Sequence, residues 1–284
     1  MSERPLEAAP APILRADHLR KAYGHVLAVD DVSFEVPSGG SLAIVGESGS
    51  GKTTVARMIV GLTAPTSGTI AACGNDRSSP ARSAVERRRR GAEIQIVFQD
   101  PYSSLHPRHT AQQTLDEVLR LHCRELAGEQ RTSRIAELGE LVGLDARALR
   151  VLPSALSGGQ WQRIAIARAL AAEPRLIILD EAVAALDVSI QAQILNLLAD
   201  IRERTGVSYI LISHDLAVVR QLTEEALVMR RGQVVEHGRT ESILDDPRDP
   251  YTQLLRASVP RRGWKPARRA RTPSGEHLAA GGPA

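Results

Sequence analysis

Ser41-Leu42-Ala43-Ile44-Val45-Gly46-Glu47-Ser48-Gly49-Ser50-Gly51-Lys52-Thr53-Thr54-Val55 is the stretch from which the fold of this chain can be read. A short apolar run ends in glycines, and Val55, Met58, Ile59 and Leu62 then follow at helical spacing. The order is strand, glycine loop, helix, and Gly46 to Thr53 fits G-x-x-x-x-G-K-[ST] in full. Glycines let backbone N–H groups converge on phosphate oxygens at a helix N-terminus, where the helix dipole favours anions. In such a loop Lys52 reaches the β- and γ-phosphates and the Thr53 hydroxyl ligates Mg²⁺.

Upstream of this loop, apolar and polar residues alternate from Ile13, and Val26–Val29 and Val32–Val36 continue the pattern, which predicts antiparallel strands. Downstream, Gly68–Ala72 and Glu93–Phe98 read as further strands. Residues of about 108 to 150 change character: Leu115, Val118, Leu119 and Leu121, then Ile135, Leu138, Leu141 and Val142, predict helices with no strand between them. Strand Arg175–Asp180, helix Ser189–Arg204, strand Val207–Ser213 and helix Leu216–Leu222 then alternate, with Ile190, Ile194, Leu197, Leu198 and Ile201 as the apolar face of the first helix. That alternation predicts a mainly parallel sheet covered on both faces. Leu227–Met229 and Gln233–Glu236 flank Arg230-Arg231-Gly232 as a hairpin.

Composition bounds the rest. Of 284 residues, 43% are hydrophobic and 24% charged, the balance of a soluble globular chain, and with only 3% aromatics the core has to be aliphatic. No uncharged apolar run approaches the roughly 18 to 20 residues of a spanning helix, and the start lacks a signal peptide's apolar region. Cys73 and Cys123 are too few for a disulfide framework or a four-ligand zinc site. The net charge of +3 is small, and the basic runs Arg87–Arg90 and Arg261 to Arg271 read as solvated faces or tails, so no nucleic-acid partner is expected. Residues 1–12 and the segment beyond Trp264 are expected to be disordered.

Two further motifs carry chemistry. Leu176-Ile177-Ile178-Leu179-Asp180-Glu181 puts two acids at the end of a buried strand, where one can hold Mg²⁺ and the next can polarise water. Leu156-Ser157-Gly158-Gly159-Gln160 opens a second amphipathic helix, whose first N–H groups make a second anion site.

Together these motifs closely resemble the nucleotide-binding subunits of ATP-binding-cassette (ABC) transporters, with Leu156–Gln160 as the family signature and the likeness running over about residues 13–260. The resemblance implies a phosphate-loop NTPase cassette of α/β class: a mainly parallel sheet core, an antiparallel β subdomain and a helical subdomain at about 101–170. It implies a nucleotide-binding domain over 13–245 and an extension over 246–284. ATP and Mg²⁺ are the implied ligands. Gly46, Glu47, Ser48, Gly49, Ser50, Gly51, Lys52, Thr53 and Thr54 would hold nucleotide, with Tyr23 stacking on adenine. Ser157, Gly158, Gly159 and Gln160 would cover the γ-phosphate of a second ATPase subunit, homologous or identical, in a head-to-tail dimer. Thr53, Gln99 and Asp180 are the implied metal ligands, and Glu181, His214 and Gln99 the catalytic set. Leu186-Asp187 resembles the loop that spans the dimer interface.

Three positions depart from the family pattern: Ala184, in Ala184-Ala185-Leu186-Asp187, where serine is usual; Trp161, where a polar or basic residue is usual; and His106, where asparagine is common. Gln99-Asp100-Pro101-Tyr102-Ser103-Ser104-Leu105 and Asp249-Pro250-Tyr251-Thr252-Gln253-Leu254-Leu255 resemble the dipeptide/oligopeptide importer group, which also contains nickel and glutathione importers. The resemblance therefore implies transmembrane permease subunits, an extracytoplasmic solute-binding protein and a peripheral place on the cytoplasmic face of the membrane. A soluble, non-transport ABC ATPase is the alternative from a different class.

Overall fold

Leu42 and Ile44 turn to one face of their strand, Ala43 and Val45 to the other, and all four are buried. A strand that is apolar on both faces needs cover on both. The computed structural model, which describes residues 11–100 and 105–257, shows what supplies it. The expected disordered N-terminal segment, Pro101–Ser104 and the basic tail lie wholly or almost wholly outside the described residues.

The strands β3 (Ser41–Val45), β6 (Ile94–Val97), β7 (Leu176–Asp180), β8 (Ser208–Ser213), β9 (Glu225–Arg230) and β10 (Gln233–Arg239) form one sheet of order β10-β9-β3-β8-β7-β6. Every pairing is parallel except the β9–β10 hairpin. A second, antiparallel sheet holds β1 (Leu14–Tyr23), β2 (Val26–Val36), β4 (Ser67–Ala72) and β5 (Asn75–Asp76) in the order β2-β1-β4-β5. With helix α1 (Lys52–Ile59) it covers one face of the first sheet: Leu19, Val32, Phe34, Val55 and Ile59 share a core with Leu42, Ile44, Ile178 and Ile210.

The opposite face, lined by Ala43, Ile177, Leu179 and Leu211, shares its core with helices α5 (Gly158–Leu170), α6 (Val188–Thr205) and α7 (Leu216–Leu222). The same core continues into α3 (Ala111–His122) and α4 (Gly128–Leu141), the helices expected between 108 and 150. Helix α3 starts where it does because Thr110 and Gln113 close a reciprocal cap: Thr110 Oγ1 accepts from Gln113 N–H at 3.2 Å and Gln113 Oε1 from Thr110 N–H at 2.8 Å.

Two expectations change. Leu62, expected on the apolar face of α1, is 65% exposed, because the helix ends at Ile59 and Gly61 turns the chain with a positive φ. Arg87–Arg90 lie on a helix that periodicity does not reveal, α2 (Ala84–Glu93), which buries no residue. It is held instead by the Ser83 cap on Glu86 N–H at 3.1 Å and by an Arg90–Glu86 pair one turn apart at 2.5 Å. The next strand accordingly begins at Ile94 rather than Glu93. Two short helices, α8 (Thr240–Asp245) and α9 (Pro250–Ala257), close the described chain.

Because β3, β8, β7 and β6 run parallel and adjacent, their C-terminal ends share one edge of the sheet, where ligands bind in open α/β folds. The chain leaves that edge at Gly46, His214, Glu181 and Phe98-Gln99, in that spatial order. Among the described residues no helix is long and apolar enough to cross a membrane.

Candidate active site

The loop from Gly46 to Thr53 has the shape the motif requires. Gly46 has φ 152°, and a Cβ there would lie 2.2 Å from the Met229 carbonyl oxygen; at Gly51, φ 105°, it would lie 2.5 Å from the Ala28 carbonyl oxygen. Neither position has room for a side chain. The Ser50 carbonyl accepts from Gly232 N–H at 3.0 Å, which ties the loop to the β9–β10 turn. Lys52 is 5% exposed, and its Nζ donates to the carbonyls of Gly46 and Glu47, both at 2.8 Å. Burial lowers its pKa, while the negative charges of Glu181, Asp180 and Glu47 act to keep it protonated. Ser48, Gly49 and Thr53 are exposed around it and Thr54 is half-buried.

Asp180 ends the wholly buried strand β7 and is 7% exposed. Thr53 Oγ1 donates to Asp180 Oδ1 over a long 3.5 Å. Burial and the Glu181 charge push the Asp180 carboxyl up, more than the Thr53 hydrogen bond, Arg57 and Lys52 bring it down. Glu181 has φ 50°, unusual for a side chain of its size, and its N–H donates to the Ile212 carbonyl at 2.9 Å, fixing the turn. His214 Nδ1 lies 3.4 Å from Glu181 Oε1, with the imidazole 60% and the carboxylate 23% exposed. Lys52, Thr53, Asp180, Glu181 and His214 are thus brought together. Gln99 is exposed at the same edge, beyond β6. Tyr23 ends β1 and is 48% exposed, with Lys21 Nζ 5.1 Å from its ring centroid.

The donor set suits a hydrated divalent cation shared with phosphate rather than an all-protein cage: one hydroxyl, Thr53, meets one carboxylate, Asp180. Among the described residues no three His, Cys, Asp or Glu side chains gather as a metal site. The buried Ser50 hydroxyl has no protein partner, as a group reserved for a ligand would not.

Ser157–Gln160 open α5 in the helical layer. The Ser157 hydroxyl accepts from Gln160 N–H at 3.3 Å and Gln160 Oε1 from Ser157 N–H at 2.9 Å, a capping box. The second anion site is therefore narrower than the motif suggests, with the N–H groups of Gly158 and Gly159 the ones the cap does not use. Gly159 lies against Ile190 of α6, where a Cβ would stand 2.8 Å from Ile190 Cγ2.

The three departures have local accounts. Trp161 is a core residue, 6% exposed, whose indole N–H donates to the Pro153 carbonyl at 2.8 Å. Ala184 is exposed in a turn closed by its own N–H on the Glu181 carbonyl at 3.0 Å, which a serine hydroxyl is not needed to form. His106 stacks on His109 at 4.2 Å between ring centroids, and its Nδ1 accepts from Arg108 N–H at 3.3 Å. Sequence reasoning missed one residue at the site: Tyr251, whose hydroxyl accepts from Glu47 N–H at 3.0 Å. A tyrosine inside a Pro- and Arg-rich segment was the available clue, since a buried phenol needs a polar partner.

A family model described as ABC transporter matches residues 29–184. The oligopeptide transport ATP-binding protein OppD of Mycobacterium tuberculosis is 46% identical over 251 residues, which are 88% of this chain and 40% of that protein. The chain thus spans well under half the length of that relative. The dipeptide transport ATP-binding protein DppF of Escherichia coli K12 is 43% identical over 260 residues, covering 88% of this chain and 77% of that protein. Among solved structures, a dimeric ATP-binding cassette in a post-hydrolysis state bound to ADP and Pi superposes with a TM-score of 0.71 at 29% identity, covering 80% of this chain and 98% of that one.

Proposed function

The chain belongs to the ABC transporter family, and from that premise we propose that it binds and hydrolyses ATP as the motor subunit of a membrane importer for di- or oligopeptides. The observation that carries the proposal is the convergence, at one sheet edge, of a buried lysine in a phosphate loop, the Thr53–Asp180 pair and the Glu181–His214 pair.

Each group has a task that its setting fits. The loop's N–H groups and Lys52 take the phosphates, and Lys52 is already desolvated, so its charge acts in a low-dielectric place where it counts for more. Thr53 and Asp180 would hold Mg²⁺, with Gln99 completing the set from the end of β6; the ion would neutralise charge on the β- and γ-phosphates. Glu181 accepts the proton of the attacking water, and its partly exposed carboxylate can reach one. His214 stands beside that carboxylate, where it orients the glutamate and contacts the γ-phosphate. Tyr23 offers an exposed ring to adenine.

One chain holds two phosphate-binding helix starts, α1 and α5, and they belong to different layers. A head-to-tail pair of subunits gives each γ-phosphate both, the second through Ser157–Gln160, and the superposable cassette is itself a dimer. Permease subunits, contacted through the Gln99 region and the helices α3 and α4, and an external solute-binding protein complete the assembly at the cytoplasmic face of the membrane.

The test is to purify a tagged chain from its native membranes, identify the proteins that accompany it, and reconstitute the complex in vesicles with labelled peptides, glutathione and Ni²⁺ as separate cargoes. Co-purifying multi-spanning subunits and ATP-dependent peptide uptake support the proposal. A chain with ATPase activity but no membrane partner would leave the non-transport class, and uptake of glutathione or Ni²⁺ alone would replace the cargo.

A further inference from the structure

Glu47 is the second residue of the phosphate loop, and both its backbone polar groups are engaged on the loop's own scale. Its carbonyl accepts from Lys52 Nζ at 2.8 Å, and its N–H donates to the Tyr251 hydroxyl at 3.0 Å. Tyr251 comes from α9, 204 residues away along the chain, yet it is 4% exposed. Its position is fixed from three sides. The Arg230 guanidinium lies 4.8 Å from the ring centroid. The Tyr251 N–H donates to Asp249 Oδ1 at 2.8 Å, and the Glu236 carboxylate accepts from the N–H groups of Arg248 and Asp249 at 2.8 and 3.2 Å. Arg230 and Glu236 both belong to the β9–β10 hairpin, the element that also grips the loop through Gly232 N–H on the Ser50 carbonyl and through the Met229 carbonyl behind Gly46.

We infer that Tyr251 is a positioning residue for the nucleotide site: its hydroxyl pins the Glu47 peptide, and so sets the phosphate loop and the two carbonyls that hold Lys52 before nucleotide arrives. Without the phenol, the Glu47 N–H has no protein acceptor and the peptide is free to turn. Part of the ordering that Tyr251 supplies in advance then falls to the nucleotide, and the loss appears in binding more than in the chemical step. The last of the described helices thereby tunes the affinity of the phosphate loop.

The inference rests on the nucleotide-binding reading, so the experiment has one arm that needs nucleotide and one that does not. Tyr251→Phe keeps the ring beside Arg230 and removes only the acceptor. ADP with Mg²⁺ should bind about 3- to 10-fold more weakly, the scale of one lost hydrogen bond, and KM for ATP should rise by the same factor while kcat changes less than twofold. In the nucleotide-free protein, hydrogen exchange at the Glu47 amide should speed up at least about tenfold, with α1 amides unchanged. Unaltered ADP affinity, or a fall in kcat at constant KM, overturns the inference, as does unaltered Glu47 exchange. If the wild-type chain binds no ADP or ATP, the nucleotide reading fails instead, and the exchange arm still decides whether Tyr251 holds the loop.

Discussion

Asp180→Asn should make the nucleotide-free protein more stable while disabling it. In the fold Asp180 is 7% exposed and lies beside Glu181, and among the described residues the side chain that donates to its carboxylate, Thr53 Oγ1, is 3.5 Å away, so burial and like charge raise its pKa above the ordinary carboxylate value. An acid whose pKa rises on folding is stabilising only when protonated. Its penalty is absent below the unfolded value near 3.9 and complete above the raised folded value. Asparagine has the same shape, can still accept from Thr53 and carries no charge to bury. The attraction to Lys52 and Arg57 is lost too, but the raised pKa shows that it is the smaller effect. Relief of such a penalty is typically worth about 0.5–2 kcal/mol, which for a chain of this size corresponds to a Tm higher by about 1–8 °C. Calorimetry at pH 7.5 in EDTA should show the variant melting above the wild type, and the gap should close as the pH falls toward 4. Adding Mg²⁺ and ATP should narrow the gap, because the wild type, with its metal ligand intact, binds the metal–nucleotide pair more tightly than the variant, and ligand at a hundred times Kd stabilises by roughly 2.7 kcal/mol. Turnover should fall at least about 100-fold, since metal charge stabilisation is worth several kcal/mol. A variant that melts lower at pH 7.5, or a gap that persists at low pH, would refute the reasoning.

Glu181→Gln should hydrolyse ATP about 10²- to 10⁴-fold more slowly, the usual worth of general-base help, while equilibrium dialysis finds nucleotide binding intact; near-normal turnover would remove Glu181 from the mechanism. Lys52→Ala should instead show its defect in the binding isotherm, as a charge-assisted phosphate contact is gone. Gly51→Ala forces a Cβ to within 2.5 Å of the Ala28 carbonyl oxygen, so ADP binding should be lost although circular dichroism stays that of the folded chain; retained affinity would mean that the loop has slack. Trp161→Ala should cost about 3–5 kcal/mol in urea unfolding, as expected of a core residue and not of a surface departure from the signature.

What the sequence made legible is what depends on local rules. The phosphate loop could be read because only glycine suits φ 152° at Gly46 and φ 105° at Gly51, and because a continuous apolar run such as Leu176–Leu179 has to be covered on both faces. The alternation of strands and helices predicted a mainly parallel sheet, whose strands end at one edge, so Lys52, Asp180, Glu181 and His214 could be expected near one another; the order β3-β8-β7-β6 is set by tertiary pairing and was not legible. Helix α2 was hidden because its stability comes from the Ser83 cap and an Arg90–Glu86 pair, leaving no apolar stripe to count. Trp161 read as a departure because its burial depends on a pocket that includes the Pro153 carbonyl, set by the tertiary packing of α5. Tyr251 could be noticed as a tyrosine in its segment, but its partner could not be read: a bond between residues 204 apart leaves no periodicity in either segment.

The central claim is that ATP is held between two chains, by the α1 start of one and the α5 start of the other. Mixing a Lys52→Ala subunit with a Ser157→Arg subunit, in the homodimer or in the matching heterodimer with a homologous ATPase, tests it directly. Neither variant alone can build an intact shared site, whereas the mixed pair assembles one site with both good halves and one with neither. The account predicts ATPase activity in the mixture well above that of either variant alone, and a wild-type rate per chain that rises with protein concentration. A mixture no more active than its parts, together with a wild-type rate independent of concentration, would contradict it.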